Sequence, residues 1–357
     1  MPTYVMLLNP SANRVYRQAT AALAAAELTV TAPFASEIAA GRIGAADALS
    51  FRADDIDELV LAAQSAHLVT FRQEGDLLRP VDVPDISVLD DDLLTIPKYQ
   101  GKTNEGFTRL LLHLTLSQID RPGPLEVLDP LAGRGTTLLA AWQAGHHGFG
   151  VEADEKAFEA LASYLKTYLR TKRIRHTAQI TPVRREGRTL GRRLDAEVRL
   201  SEATHDQPAR PGMPTLRMSV FTGDTRDSAA LYGRKKFDAI VTDAPYGVVH
   251  GAEQRDVNAG GASASARGRA GGSGRGGSQR NRSAQTLLTE AIPVWRGQLK
   301  AGGALGISWN THTLSRGRLL EIISQAGLQA HDEGPWRQFA HRVDASINRD
   351  LLVAITP

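Results

Sequence analysis

The segment from Leu125 to Thr137 constrains the fold of this chain more than any other. It reads LEVLDPLAGRGTT: a short apolar run, an acid at Asp129, a Gly-x-Gly turn and the start of an amphipathic helix. Two glycines allow the backbone to pass close to a ligand, and the amides at the start of a helix favour a carboxylate or a phosphate. The segment therefore predicts a strand, turn and helix of an α/β sheet that binds a nucleotide-like cofactor.

The spacing of the glycines narrows the choice of cofactor. The dinucleotide-binding fingerprint has a third glycine three residues after the second, where this chain has Leu138. A nicotinamide cofactor is therefore disfavoured. The next apolar run, Gly148 to Val151, predicts a second strand that ends at Glu152, a carboxylate suited to bind both ribose hydroxyls. Asp154 is the weaker ribose candidate, and a solvated loop acid is the alternative interpretation of Glu152.

A second acidic motif ends a later strand. Residues 237–241, FDAIV, are apolar apart from Asp238 and lead into Asp243 and the sequence DAPYG. The Asp243 carboxylate and the Ala244 carbonyl can both accept hydrogen bonds from one flat –NH2 group, while the proline fixes the carbonyl direction and Tyr246 offers a ring for stacking. The motif is typical of a site for a planar amine such as that of a nucleobase, although the same residue types also form ordinary turns.

Taken in order, these motifs resemble a known family. DPLAGRGTT, GVEAD, TGD and TDAPYG follow one another as in class I methyltransferases that use S-adenosylmethionine, and in particular as in the amino-methylating group with a D/N-P-P-Y motif. With its N-terminal appendage, the chain resembles the THUMP-associated tRNA guanosine-N2 methyltransferases from about Ile96 to the C-terminus. Its first part only loosely resembles the ferredoxin-like part of a THUMP region. Ala244 stands where the family usually has proline, which is expected to loosen the loop.

The resemblance implies an α/β fold, a Rossmann-like class I methyltransferase sheet of seven mostly parallel strands with the last one antiparallel. Residues 1–82 predict a small N-terminal ferredoxin-like α/β domain, close to β-α-β-β-α-β with one strand not recognisable. An acidic, proline-containing linker is predicted at 83–95. The methyltransferase domain would occupy 96–357, with a basic insertion at 170–214 and a disordered Gly/Ser/Arg-rich loop at 253–283.

The resemblance also implies the roles of the site residues. The glycine loop would lie under the methionine part of the cofactor, with acids holding its amino group, ribose and adenine. The implied cofactor residues are Asp129, Ala132, Gly133, Gly135, Thr136, Glu152, Asp224 and Thr103. The implied catalytic residues are Asp243, Ala244, Pro245 and Tyr246, with Asp243 holding the target amine. A base inside a duplex could not enter such a slot without unstacking, so the target should be flipped out or unpaired.

The polar segment 96–109 leads into an apolar helix, predicted at 110–116. Thr103 or Asn104 could cap that helix, and its first amides could receive a carboxylate. A plain helix entry is the competing interpretation.

The formal net charge of +3 is too small to argue for nucleic acid, so the distribution of arginine matters more. The insertion at 170–214 is rich in arginine and lysine, and is either a solvated face or a phosphate-binding surface. Residues 260–283 have almost no apolar side chains, so they cannot bury a core and fit either a flap that grips single-stranded nucleic acid or a passive linker. The candidate substrate-binding residues are Arg267, Arg269, Arg275, Arg280, Arg282 and His341, although such a histidine is more often structural.

The composition of the chain excludes several other classes of protein and of binding site. The chain has no cysteine, which excludes disulfides and thiolate metal sites, and no metal site is predicted. Its N-terminus, MPTYVMLLNP, lacks the charged and apolar regions of a signal peptide, and no run of about 18 apolar residues occurs. We therefore expect a cytoplasmic protein without a membrane partner.

The sequence thus predicts an S-adenosylmethionine-dependent N-methyltransferase for an exocyclic amine of RNA, with guanine N2 of tRNA preferred. The leading alternative is a DNA amino-methyltransferase that acts on adenine N6 or cytosine N4. Methylation of protein glutamine is disfavoured by the basic segments. A non-catalytic RNA-binding module is disfavoured because both Asp243 and Glu152 are present. No protein partner can be inferred.

Overall fold

Two β-sheets form the frame of the protein, one from roughly the first 80 residues and one from the rest. The computed structural model describes residues 1–99, 101–185, 188–201, 212, 215–245 and 276–357. In those ranges, none of the helices combines the length and apolar character that a membrane crossing requires.

The N-terminal unit is a five-stranded antiparallel sheet with two helices. Its elements are β1 (Thr3–Leu8), α1 (Arg14–Thr31), β2 (Ser36–Ile43), β3 (Ala46–Arg52), α2 (Glu58–Ala62), β4 (His67–Glu74) and β5 (Leu77–Pro80). The strand order is β2-β3-β1-β4-β5. Up to β4 the elements follow the β-α-β-β-α-β succession that the sequence indicates. The strand not recognisable from the sequence is β2, because none of its residues is buried and it lacks an apolar face.

The N-terminal unit packs directly on the rest of the chain. Side chains of α1, including Tyr16, share one hydrophobic core with α4 (Glu105–Leu116). The segment 83–95, predicted as a linker, contains α3 (Asp92–Thr95) and contributes to that same core. Its buried residues are Val88, Leu89, Leu93 and Leu94. These apolar side chains stand among acidic residues, so the composition of the segment did not indicate that they are buried. The segment packs against the rest of the protein.

In the described residues, the second sheet has ten strands. They are β6 (Glu126–Asp129), β7 (His147–Glu152), β8 (His176–Arg185), β9 (Arg188–Arg199), β10 (Thr215–Thr222), β11 (Phe237–Asp243), β12 (Leu299–Asn310), β13 (Gln329–Ala330), β14 (His341–Arg342) and β15 (Asn348–Ile355). Their order is β13-β15-β12-β11-β6-β7-β10-β9-β8, and β14 pairs with β15. Strands β10, β7, β6, β11 and β12 are parallel, whereas β15 is antiparallel to both β12 and β13. The sheet is therefore mixed.

The number of strands differs from the seven expected. The described part of the insertion folds as the antiparallel hairpin β8–β9, and β9 pairs with β10. The hairpin therefore extends the sheet by two strands at the edge that β10 would otherwise leave open. The short strand β14 adds the tenth.

Helices cover both faces of the central strands. They are α5 (Thr136–Gln143), α6 (Glu155–Thr171), α7 (Ser228–Tyr232), α8 (Gly276–Gln298) and α9 (Arg316–Gln325). Val127 of β6 packs in the core formed with α4, α5 and α6, and its neighbour Leu128 packs in the core formed with α8 and α9. Burial on both faces explains why these strands read as continuous apolar runs rather than as alternating ones.

The predicted disordered loop at 253–283 is only partly within the described residues. From Gly276 onward the backbone is helical, so the last eight residues of that loop belong to α8. Buried Leu288, Ile292 and Trp295 anchor this helix further along. Once a helix is anchored, each added residue gains a hydrogen bond at low cost, which explains an earlier start than composition indicates.

Candidate active site

A cavity of about 290 Å³ opens at the carboxyl edge of the parallel strands. Its walls come from the segment before α4, the glycine loop after β6 and the end of β11. The predicted residues that line it are Thr103, Asp129, Ala132, Gly133, Thr136, Asp243, Ala244 and Pro245. The fold thus brings residues assigned to the cofactor and residues assigned to the amine into one space. Gly135, Glu152, Asp224 and His341 lie outside this lining.

The two glycines of the loop do different things. Gly133 has φ 54° and lines the cavity, and a Cβ there would meet nothing within 4 Å. Gly135 has φ 80°, and a Cβ there would lie 2.6 Å from Leu161 Cδ1 of α6. Gly135 therefore allows the loop to pack against α6, while Gly133 leaves the cavity wall open to a ligand.

Asp129 ends β6 as a buried carboxylate, 3% exposed. Its Oδ1 accepts hydrogen bonds from the Thr242 hydroxyl at 2.8 Å and from the Leu131 amide at 3.1 Å. Burial raises the pKa of Asp129 to about 6, and the charge of Asp243 contributes to this rise. An acid that is costly to ionise in the empty cavity is suited to receive a cationic group there.

Glu152 fastens the glycine loop to the end of β7. Its Oε2 accepts from the Gly133 amide at 2.6 Å, and its Oε1 accepts from the Asp154 amide at 2.6 Å. Burial raises the pKa of Glu152. Each oxygen keeps a second lone pair, so this carboxylate can still accept ribose hydroxyls. The weaker candidate, Asp154, instead caps α6 by accepting from the Lys156 amide at 2.9 Å.

Asp224 follows β10 and is engaged by a neighbouring guanidinium. Arg226 donates from Nη2 to Asp224 Oδ2 at 2.6 Å and from Nε to Oδ1 at 2.9 Å. This pairing lowers the pKa of Asp224, and Arg226 also binds Glu290 of α8 at 2.9 Å. The main-chain amide of Arg226 also donates to Oδ1 at 2.9 Å, so any adenine contact at Asp224 would use the remaining lone pair of Oδ2.

Asp243 is held by residues that sequence reasoning did not assign to it. The Thr103 hydroxyl donates to Asp243 Oδ2 at 2.5 Å, and the Ser308 hydroxyl donates to Oδ1. Arg349 Nη2 lies 3.8 Å from Oδ2. Thr103 was expected among the cofactor residues, and its hydroxyl contacts Asp243, the acid predicted to hold the amine. The cap of α4 is Asn104, whose Oδ1 accepts from the Phe107 amide at 3.2 Å.

The Ala244 amide ties the residue that follows β11 to the neighbouring strand β12. Its amide donates to the Ser308 carbonyl at 2.8 Å, directly after the register pair of Asp243 with Ser308 in β11 and β12. Proline has no amide hydrogen and could not make this bond. Alanine at this position therefore supplies a donor that proline lacks, and the expectation of a looser loop concerns residues from 246 onward, which lie outside the described residues.

The residues proposed to contact nucleic acid are mostly outside the part of the chain that the structure describes. This holds for Tyr246, Arg267, Arg269 and Arg275, and for the side chains of Arg280 and Arg282. His341 is buried, with Nδ1 3.1 Å from the Phe339 carbonyl and its ring 5.1 Å from that of Phe107. Burial lowers the pKa of His341, which favours its structural interpretation.

The basic insertion is less one-sided than its sequence indicates. Arg192 bonds to Glu159 at 2.9 Å and lies 3.4 Å from Glu155, both on α6. Arg193 pairs with Asp195 at 2.8 Å, and Arg199 pairs with Glu197 at 3.0 Å. A dense phosphate-binding array was the functional expectation for this segment. For these three arginines it is weakened, because Arg192 pairs with acids on α6 and the other two pair with acids on β9 itself.

Two further residues shape the cavity mouth. The Tyr99 hydroxyl lies 3.0 Å from the Thr136 Oγ1, and the Arg134 guanidinium lies 4.6 Å from the centre of the Tyr99 ring. Both Tyr99 and Arg134 line the cavity. The available signal for Arg134 was its position between the two glycines, where a side chain at the ligand is expected.

No family model matches the chain, and no curated protein matches it. Solved structures with a similar backbone include TrmN from Thermus thermophilus, with 12% identity, a TM-score of 0.45 and coverage of 100% of both chains. Precorrin-6y C5,15-methyltransferase from Geobacter metallireducens GS-15 has 12% identity and a TM-score of 0.37, covering 76% of this chain and 98% of its own.

A third similar structure is the 16S rRNA N2 G1207 methyltransferase RsmC of T. thermophilus, in complex with AdoMet and guanosine. It has 14% identity and a TM-score of 0.34, and the match covers 91% of this chain and 59% of RsmC. With all three TM-scores below 0.5, the function of this chain has to be inferred from its own residues.

Proposed function

We propose that this protein is an S-adenosylmethionine-dependent N-methyltransferase that acts on an exocyclic amine of RNA, with guanine N2 of tRNA as the preferred target. The cavity carries this proposal, because Asp129 and Gly133 share it with Asp243 and Ala244. A cofactor cradle and a pair of amine acceptors in one space meet the first requirement of methyl transfer, which is close approach of the two reactants.

The cavity residues fit the cofactor in charge and in shape. The methionine end carries an ammonium and a carboxylate on one carbon, and the lining offers the buried acid Asp129 and the guanidinium of Arg134. Gly133 leaves the wall open, and Glu152 retains acceptor capacity for ribose hydroxyls. When bound, the cofactor supplies a methyl group on a sulfonium.

The part of the cavity that would bind the target amine, which we call the amine side, presents hydrogen-bond acceptors. Asp243 and the carbonyl of Ala244 would accept the two N–H groups of a planar amine and so orient the nitrogen lone pair. Guanine N2 is a poor nucleophile, since its lone pair is delocalised into the ring, and positioning therefore supplies most of the catalysis. Asp243 would also help to disperse the proton that the amine loses. Tyr246 would stack on a flipped or unpaired base.

RNA is favoured over DNA by the arginines in the Gly/Ser-rich sequence at 260–275, since such segments bind flexible single strands through charge and stacking. We infer a ferredoxin-like appendage at 1–82 that positions the substrate. Its α1 meets α4 beside the cavity, where Tyr16 packs edge-on against Phe107 with ring centres 6.4 Å apart. The DNA amino-methyltransferase stays the second candidate, because the amine chemistry is shared.

The test is methyl transfer from labelled S-adenosylmethionine to unmodified tRNA and to duplex DNA, followed by mass spectrometry of the nucleosides. We expect N2-methylguanosine from tRNA. Asp243→Ala should abolish transfer while S-adenosylhomocysteine still binds in calorimetry, and Asp344→Ala, at an exposed carboxylate outside the cavity, is the matched control.

Methylated adenine or cytosine in DNA would support the alternative. Wild-type protein that binds the cofactor but methylates neither polymer would refute the proposed substrate class, and full turnover by Asp243→Ala would refute the proposed mechanism.

A further inference from the structure

The Asp243 carboxylate is surrounded by donors from three separate parts of the chain. Thr103 precedes α4, Ser308 lies near the end of β12, and Arg349 lies at the start of β15. Ser308 is fully buried, and the Arg349 side chain is 6% exposed. Each carboxylate oxygen therefore accepts a hydroxyl proton already and keeps a limited set of directions for any further donor.

Ser308 contacts both groups that would accept the amine. Its hydroxyl donates to Asp243 Oδ1, and its main-chain carbonyl accepts from the Ala244 amide at 2.8 Å. That amide belongs to the residue whose own carbonyl is the second acceptor. One buried residue on the neighbouring strand thus fixes the carboxylate and the adjoining backbone relative to each other.

We propose that Thr103 and Ser308 are positioning residues that clamp Asp243 through its two oxygens, so that the site selects a planar –NH2 group by its direction as well as its charge. This inference rests on the proposed function. The two N–H groups of a nucleobase amine lie in one plane at a fixed angle, so both acceptors must be held in matching directions. A carboxylate free to rotate would accept any ammonium or amine that approached it.

Arg349 completes the arrangement by balancing charge. Asp243 and Asp129 line the same cavity, and the charge of Asp243 contributes to the raised pKa of Asp129. The Arg349 guanidinium faces Asp243 and lies 4.8 Å from the centre of the Phe107 ring, another cavity residue. A buried guanidinium beside Asp243 offsets the repulsion between the two acids and keeps the carboxylate available as an acceptor.

The test measures how much more tightly the protein binds a nucleoside with an exocyclic amino group than the same nucleoside without it. Guanosine and inosine differ only in the 2-amino group, and adenosine and purine riboside differ only in the 6-amino group. Binding of all four to the protein saturated with S-adenosylhomocysteine is measured by calorimetry for wild type, Ser308→Ala, Thr103→Val and Thr103→Ser. Turnover and thermal midpoint are recorded for the same proteins.

We expect the wild type to prefer the amino-bearing member of one pair, and Ser308→Ala and Thr103→Val to lose roughly tenfold or more of that preference. This factor corresponds to one hydrogen bond to a charged group. The affinity for the deaminated partner and for S-adenosylhomocysteine should stay within about twofold, and kcat should fall more than KM rises. Thr103→Ser keeps the hydroxyl and should restore most of the preference.

Other results overturn the inference. A lower thermal midpoint with unchanged discrimination would make Ser308 and Thr103 merely structural, and a parallel loss of S-adenosylhomocysteine affinity would assign them to the cofactor. Wild-type protein that shows discrimination but no methyl transfer would refute the proposed function and leave the clamp standing. Wild-type protein that shows neither would refute both.

Discussion

Binding of the cofactor should depend on pH through Asp129. Burial raises the pKa of this carboxyl from its ordinary value of 3.8 to about 6. At 1.36 kcal/mol for each pKa unit, ionising Asp129 inside the empty fold costs about 3 kcal/mol. An ammonium group bound against it would offset that cost, so binding below pH 6 should be accompanied by release of a proton.

The direction of the effect on stability follows from the same shift. Because the folded pKa is raised, the stabilising contribution of the protonated acid is fully present below pH 3.8 and is lost as the pH rises through about 6. Asp129→Asn can keep the hydrogen bonds from Thr242 and Leu131, since both are made to Oδ1. The variant without cofactor should therefore have a higher free energy of unfolding than wild type at pH 7, and this advantage should disappear near pH 4.

The assay is calorimetric titration with S-adenosylhomocysteine between pH 5 and 7, repeated in buffers with different ionisation enthalpies. The α-amino group of the ligand stays protonated in this range, so the protein acid dominates the slope. We expect about tenfold weaker binding at pH 5 than at pH 7, with release of close to one proton at pH 5. Asp129→Asn should bind more weakly at pH 7 and show a nearly flat profile.

Glu152 needs its own control, since burial also raises its pKa. Glu152→Gln should weaken binding by about 1 to 3 kcal/mol, because charged hydrogen bonds are removed, while keeping the slope. If the slope persists in Asp129→Asn and vanishes in Glu152→Gln, the assignment of the ammonium to Asp129 is wrong. A flat wild-type profile would refute the linkage altogether.

Three further predictions follow from packing and from the arginine-rich sequence. Gly135→Ala should lower the free energy of unfolding by about 1 to 3 kcal/mol, because of its positive φ and the approach to Leu161, and a variant as stable as wild type in urea would contradict this. Glu27→Ala should cost about 1 to 3 kcal/mol, since this fully buried carboxylate of α1 accepts from the Ser65 amide and hydroxyl and lies 2.7 Å from His113 of α4; unchanged urea unfolding would show that these contacts are dispensable. Deletion of residues 260–275, which ends before α8, should reduce the slope of log RNA affinity against log salt by roughly 0.7 to 0.9 for each phosphate that the arginines no longer neutralise. The affinity for S-adenosylhomocysteine should be unchanged. If the deletion weakens binding to duplex DNA more than binding to RNA, the DNA alternative is favoured.

The sequence predicted which acids lie at the carboxyl edge of the sheet better than it predicted the side chains from other strands that contact them. Asp129, Glu152 and Asp243 each follow an apolar run, and parallel strands place their carboxyl ends along one edge, so their neighbourhood could be expected from order alone. The hydrogen-bond partners of Asp243 could not be predicted in this way. Ser308 and Arg349 are distant in the chain, and they reach Asp243 only because β12 lies next to β11 and β15 lies next to β12.

Local patterns of charge and exposure were misleading in two places. Arg192 of β9 looked like part of a single basic surface because its partners on α6, Glu155 and Glu159, are separated from it in the sequence. Strand β2 was not recognised because an edge strand with no buried residue carries no apolar alternation. In both places the missing information is which element becomes the neighbour, and a local pattern does not contain it.

One strand connects the two halves of the candidate site. Thr242 of β11 donates to Asp129 on the cofactor side, and the next residue, Asp243, is the acid on the amine side. The two acids repel one another, since the charge of Asp243 contributes to the raised pKa of Asp129. A cationic cofactor bound against Asp129 would add to the effect of Arg349 and reduce that repulsion further, which favours Asp243 as an acceptor. We therefore expect that cofactor binding at Asp129 strengthens amine binding at Asp243. The two acids are linked through β11, in which Thr242 donates to Asp129 and the next residue is Asp243 itself.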